Sequence, residues 1–164
     1  MKKFLLVFAA IFAIATTANA QFKDSGFKII GEVGAGVNWV EGKFGTVTPG
    51  LDITFGANLG PKFFLGAGVG YNASIGVGDG SGSTNHLNVF GHGRIYFAGG
   101  NGFILDLKAG YKRIFEGDGG NAFTYFIGPG FMFKDRQALT IGYVGTVYSG
   151  GTEHGPAIKY SVEF

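Results

Sequence analysis

Residues 158–164 read IKYSVEF, from Ile158 to Phe164. Ile158, Tyr160, Val162 and Phe164 are apolar or aromatic, and Lys159, Ser161 and Glu163 stand between them. Such alternation puts one set on each face of a β-strand, because successive side chains of an extended chain point to opposite sides. Terminal segments of soluble domains commonly fray. A strand that keeps this pattern to an aromatic last residue is expected instead to be paired on both edges.

The same period runs through the chain from residue 27 onward. Eight alternating stretches lie at about 27–39, 46–59, 63–77, 87–97, 103–115, 123–133, 138–148 and 156–164, each bounded by Gly, Asn, Asp or Pro. GPK (60–62), AGGNG (98–102) and KDRQ (134–137) read as short turns. EGKFG (41–45), GDGSGSTNH (78–86), EGDGGN (116–121) and SGGTEHG (149–155) read as glycine-rich loops. Turns and loops alternate along the chain, as an up-and-down meander requires when one end carries turns and the other loops.

Sorting by parity separates two faces. One carries Phe27, Ile29, Val33, Leu51, Ile53, Phe55, Leu65, Val69, Leu107, Ile127 and Ile141, with Arg113 as a charged exception near the loop end of its stretch. There the guanidinium can snorkel away from hydrocarbon. The other face carries Lys28, Glu32, Asp52, Arg94, Asp106, Lys108, Lys159 and Glu163, together with Asn38, Thr54, Asn58, Asn72 and His92. Its remaining positions are rich in glycine, including Gly34, Gly36, Gly66, Gly68, Gly70, Gly128 and Gly130.

Two architectures give this alternation. In a soluble barrel the apolar face forms the core; in a membrane barrel it meets lipid and the polar face fills the lumen. Glycine suits a crowded eight-stranded lumen better than a wet surface. Phe27, Phe63, Phe97, Phe103, Phe133 and Phe164 gather at the turn end of the apolar face, as an aromatic girdle would. Stretches this long suit a tilted bilayer crossing. The expected fold is therefore all-β, an eight-stranded antiparallel up-and-down transmembrane β-barrel. In hydrocarbon every backbone N–H and C=O must be paired, so IKYSVEF is the strand that closes onto the first. Pro129 in FIGPGF forfeits a ladder bond, and a bulge or bend is expected there.

The amino-terminal MKKFLLVFAAIFAIATTANA has the basic, apolar and small-residue regions of a secretory signal peptide, so residues 1–20 are expected to be cleaved and 21–164 to form one domain. Phe4–Ala15 is too short for a membrane-spanning helix. Without Lys2 and Lys3, the 13 basic residues fall to 11 and balance the 11 acidic ones, so no basic stripe points to nucleic acid. There is no cysteine and hence no disulfide framework.

The terminal strand ending in Phe164, with Tyr160 four residues before it, resembles the assembly signal of bacterial outer-membrane β-barrels. With the leader and eight alternating stretches, the chain resembles the small eight-stranded outer-membrane barrel proteins, the OmpA membrane domain and OmpX-like proteins among them. The resemblance implies residence in the outer membrane, contact with its lipid, a monomer, and reading of Tyr160 and Phe164 by the barrel-assembly machinery. It also implies loops facing the exterior, where an extracellular ligand can bind.

The residues themselves offer little chemistry. Asp79, Ser81, Ser83 and Asn85 alternate as in a calcium loop, but Thr84 and Phe90 stand where that loop needs glycine and glutamate. GAGVG (66–70) precedes no helix and is no phosphate loop. His86 and His154 fall near the loop end with Ser83, Ser149 and Glu153, the residue types of a rim-side catalytic site. Neither metal nor cofactor is expected, and no catalysis. Lys28, Glu32, Asp52, His92, Arg94, Asp106, Lys108, Lys159 and Glu163 are read as a paired polar network that fills the lumen rather than an aqueous pore. The expected role is structural or in surface interaction. The alternatives are a barrel that binds or transports a small apolar ligand in a cavity lined by Phe64, Phe90 and Phe126, a lipid-modifying barrel enzyme, and a soluble secreted barrel with its apolar face inward.

Overall fold

A computed structural model describes residues 26–40, 43–77, 82–97, 102–115, 120–134 and 136–164. The expected leader at 1–20 and the loop residues Asp79 and Ser81 lie outside the described residues. The strands are β1 (Phe27–Val40), β2 (Lys43–Asn58), β3 (Phe63–Gly76), β4 (Ser83–Tyr96), β5 (Gly102–Ile114), β6 (Asn121–Phe133), β7 (Gln137–Tyr148) and β8 (Gly151–Glu163). They pair antiparallel in chain order and close into a barrel.

Closure is made by the IKYSVEF strand. Along the β1–β8 ladder Ile30 pairs with Glu163, Val33 with Tyr160 and Ala35 with Ile158. Beyond the strand end, Phe164 N–H donates to the Ile29 carbonyl at 2.8 Å, and Ile29 N–H donates to the Phe164 carbonyl at 3.0 Å. The last residue therefore completes the seam, which leaves no open edge along this part of β1.

The strands extend further into the loop end than the glycine content suggests. β1 and β2 are separated by two residues, and β7 and β8 by Ser149 and Gly150 alone. The expected loops EGKFG and SGGTEHG are mostly strand, because cross-strand pairing overrides the weak strand preference of glycine. The β1–β2 ladder absorbs this extension with a register shift beside Asn38 and Trp39, where Thr46 and Phe44 are the successive partners.

Pro129 forfeits ladder pairing as expected, but without a bulge. Around Pro129 the β6–β7 pairing lapses for two residues, between Ile127↔Tyr143 and Gly130↔Thr140, and resumes without a shift. On its other side Pro129 stays in register with Leu105. The same lapse occurs at Pro49 toward β3 and at Pro156 toward β1. A strand residue directs its N–H and C=O toward one neighbour only. A missing N–H thus costs pairing on one side and leaves the other ladder intact.

The parity reading sets the faces. Phe103 and Tyr111 are each 68% exposed and Ile141 60%, whereas His92 and Asp106 are fully buried. The apolar set points outward, so the soluble-barrel alternative is excluded. A predominantly apolar exterior around a charged interior is stable against hydrocarbon, not water. Phe63, Phe97, Phe103 and Phe131 are exposed at the turn end, with Phe103 and Phe131 edge-to-face at 5.7 Å. Tyr111 and Phe123 pack edge-to-face at 5.8 Å toward the loop end. Arg113 is exposed one residue from the end of β5.

Inside, glycines make room for rings. A Cβ on Gly68 would lie 2.7 Å from the Phe90 ring, and one on Gly142 would lie 2.6 Å from Cζ of Phe126. Only a bare backbone lets these inward phenylalanines lie flat across the neighbouring strand.

Candidate functional site

The lumen is layered from the turn end upward. Its floor is an apolar cluster of Ile30, Phe64, Tyr96, Ile104, Met132 and Ala138. Phe64 belongs to this floor and packs edge-on against His92 at 5.6 Å, so it does not line a cavity.

Above the floor, Arg94 is the hub. Its Nε and Nη2 donate to the two Asp106 carboxylate oxygens at 2.6 and 2.8 Å, a bidentate fork from β4 to β5. Nη1 donates to Glu163 Oε1 at 2.8 Å, and Nη2 also reaches Ser161 Oγ at 3.0 Å on β8. Asp106 accepts further from Thr140 Oγ1 at 3.0 Å and lies 3.1 Å from His92 Nε2, whose Nδ1 is 3.1 Å from Thr54 Oγ1. Glu163 accepts from Lys28 Nζ at 2.5 Å and from the Tyr96 hydroxyl at 2.6 Å. Strands β1, β2, β4, β5, β7 and β8 all contribute, so the bonds cross the barrel and close it. Every charge here is paired, as a buried charge must be.

The next tier is a second ion cluster. Lys108 Nζ bonds Glu32 Oε2 and donates to Asp52 Oδ2 at 2.7 Å, and Lys159 Nζ reaches the same oxygen at 3.3 Å. The two ammonium groups lie over aromatic rings, Lys108 over Phe90 at 4.5 Å and Lys159 over Phe126 at 4.3 Å. All nine residues read from the sequence as a polar network therefore face the lumen, in two tiers. The set read from the sequence is incomplete. Lys112 and Glu153 also point inward, and parity alone would have found Lys112 two inward positions beyond Lys108. Glu153 required knowing that β8 begins at Gly151. Glu153 accepts from the Tyr148 hydroxyl at 3.1 Å, and Lys112 Nζ lies over the Tyr148 ring at 5.3 Å.

Toward the loop end the lumen opens into a cavity of about 90 Å³. Glu32, Asp52, Lys108 and Lys159 form its base, and Phe90, Phe126, Asn72, Asn88, His86 and Lys112 are among its walls. Two phenylalanines line it, but its character is set by charged and amide groups. A hydrogen-bonded chain runs beside it: Asn38 Nδ2 to Thr48 Oγ1 at 3.2 Å, Thr48 to Ser74 Oγ at 3.0 Å, and Ser74 to His86 Nε2 at 2.8 Å.

The histidines thus stand elsewhere than a rim site needs. His86 is buried inside the barrel with Ser74, not beside Ser149. His154 is on the outer face of β8, stacked on Tyr143 with ring centroids 5.6 Å apart and bonded to its hydroxyl. β8 starts early enough to carry residue 154 into the strand, where its parity is that of Pro156 and Ile158. Among the described residues no group of three His, Cys, Asp or Glu side chains is placed to hold a metal ion.

No protein-family model matches the chain, and no curated protein matches it. Solved structures do. The N-terminal β-barrel domain of Pseudomonas aeruginosa OprF aligns with a TM-score of 0.60 at 13% identity, covering 84% of this chain and 97% of that one. The outer membrane enzyme PagL aligns at 0.58 and 14% identity, covering 81% and 98%. Ail, the attachment invasion locus protein of Yersinia pestis, in complex with the heparin analogue sucrose octasulfate, aligns at 0.56 and 10% identity, covering 85% and 99%. The fold is that of the small eight-stranded outer-membrane β-barrels.

Proposed function

We propose that this chain is a non-conducting, non-catalytic barrel of the outer membrane, acting through its lipid-embedded wall and loop-end rim rather than by transport through its lumen. The observation that carries this reading is the Arg94 cluster above its apolar floor. Arg94, Asp106, His92 and Ser161 are buried and join opposite walls of the lumen. A solute crossing there would have to break several charge-assisted bonds at once. Tyr160 and Phe164 sit on the outer face of the seam strand, which supports their reading as an assembly signal. The test is electrical: the mature protein in planar lipid bilayers is expected to give no discrete conductance steps. Reproducible steps from purified, heat-modifiable protein would refute the reading.

A second reading rests on Ser74 and His86, whose side chains are 2.8 Å apart and could activate a serine nucleophile. Ser74 also bonds Thr48 at 3.0 Å and is buried, which favours a structural chain over a reactive hydroxyl. A serine-directed fluorophosphonate distinguishes the two. No labelling is expected, and labelling at Ser74 lost in His86→Ala would establish the enzyme reading.

A further inference from the structure

We propose that the loop-end cavity is a binding site for a short hydroxycarboxylate, a monoanion that carries its own hydrogen-bond donor. The charge count around the cavity comes first. Three ammonium groups, on Lys108, Lys112 and Lys159, line it with two carboxylates, Glu32 and Asp52. Lys108 pairs with both acids and Lys159 with Asp52. Lys112 forms no ion pair with any described residue, although it is only 5% exposed. Its partner is the face of Tyr148, which leaves ammonium hydrogens to be satisfied. Glu153, hydrogen-bonded to the same Tyr148, acts on Lys112 only from beyond ion-pair distance, and a bound monoanion would give the ammonium a contact partner.

Hydrogen-bonding capacity then narrows the ligand. Glu32 has a side chain only 2% exposed; its Oε2 holds Lys108, while its Oε1 has no hydrogen-bond partner among the described residues. Asn88 Oδ1 and Asn72 Nδ2, on neighbouring strands in the same wall, are likewise without partners. The cavity thus offers donors from Lys112 and Asn72 and acceptors from Glu32 and Asn88. A carboxylate satisfies the donors, and a hydroxyl on the same molecule satisfies an acceptor. A zwitterionic amino acid would bring a fourth ammonium group among the three already there, and an apolar ligand would leave all four groups unpaired. A volume of about 90 Å³, judged against a cavity of about 150 Å³ that accepts the six carbons of benzene, suits a molecule of about four non-hydrogen atoms, and glycolate with five is the upper limit. The proposal concerns occupancy of the lumen and is independent of whether the barrel conducts.

The test is calorimetric titration of the full mature protein, refolded in detergent in low-chloride buffer, with glycolate as the probe and acetate and propanol as comparators. Glycolate is expected to bind with one-to-one stoichiometry, more tightly than acetate, with no binding of propanol. Lys112→Met should weaken glycolate at least tenfold, Lys112→Arg should retain most of it, and Asn88→Leu should erase the advantage over acetate. Lys134→Met, at the opposite end of the barrel, serves as the control. Heat-modifiable mobility verifies that each variant is folded. Absence of saturable glycolate binding to the wild type, equal affinity for acetate, or an unchanged isotherm in folded Lys112→Met would each overturn the proposal.

Discussion

Replacing Arg94 by methionine tests the energetic logic of the closed lumen. Methionine approximates the volume of the arginine stem, so the change removes charge and hydrogen bonds with little new cavity. Asp106 would lose both bonds from the guanidinium, keeping His92 and Thr140. Glu163 would keep Lys28 and Tyr96 but lose a charge-assisted bond, and Ser161 would lose its guanidinium partner. Removing one member of a buried ion pair costs about 3–5 kcal/mol, because the remaining charge is stranded rather than because the pair itself is worth that much. The distinction is measurable. In Arg94→Met/Asp106→Asn the stranded charge is gone, and asparagine can still serve His92 and Thr140. The double variant is expected to be more stable than the sum of the two single effects predicts, by roughly 2–3 kcal/mol. The assay is reversible urea unfolding in phospholipid vesicles, followed by emission of Trp39, the one tryptophan in the chain. A loss under about 1 kcal/mol for Arg94→Met, or strict additivity in the double variant, would refute the argument that Arg94 is held by buried charge compensation.

Three further outcomes follow from local geometry. Gly142→Ala would place a methyl 2.6 Å from Cζ of Phe126 and 2.5 Å from the Ile127 carbonyl oxygen, and should cost about 1–3 kcal/mol in the same urea assay. Phe126→Leu in that background is expected to return part of the loss. Ile141→Arg puts a charge on the lipid face at a position now 60% exposed, and should cost about 2–4 kcal/mol in vesicles if the site lies near the bilayer midplane. Lys134 holds a φ of 53° in the β6–β7 turn, so Lys134→Gly should raise the urea midpoint by an amount corresponding to about 1 kcal/mol.

Much of the fold was legible because β structure writes itself in a period of two. Parity alone assigned Phe55, Leu65 and Val89 to lipid and Arg94, Asp106 and Glu163 to the lumen, since a one-residue error would put every charge on the wrong side. Strand ends were less legible. Glycine-rich segments such as 149–155 lack side chains to alternate, so nothing local announced that β8 reaches Gly151. That misplacement put His154 and Glu153 together at a loop-end rim, whereas His154 faces outward and Glu153 into the lumen. That Pro129 would lose ladder pairing was legible, but not that the register would stay unshifted: which neighbour its missing N–H faces is a property of the assembled sheet.

The sequence by itself determined that the chain would be a closed, inside-out barrel, and which residues would face its two solvents. Alternation is local, and hydrocarbon permits no unpaired strand edge. Only the tertiary structure decided who meets whom within the lumen. Arg94 finds Glu163 and Ser161, Lys108 finds Glu32 and Asp52, and Lys112 finds an aromatic face instead of an acid. Those meetings depend on the tilt of the strands and the stagger accumulated around the whole barrel. A period of two carries no information about that stagger, and the cavity beside Lys112 exists because of it.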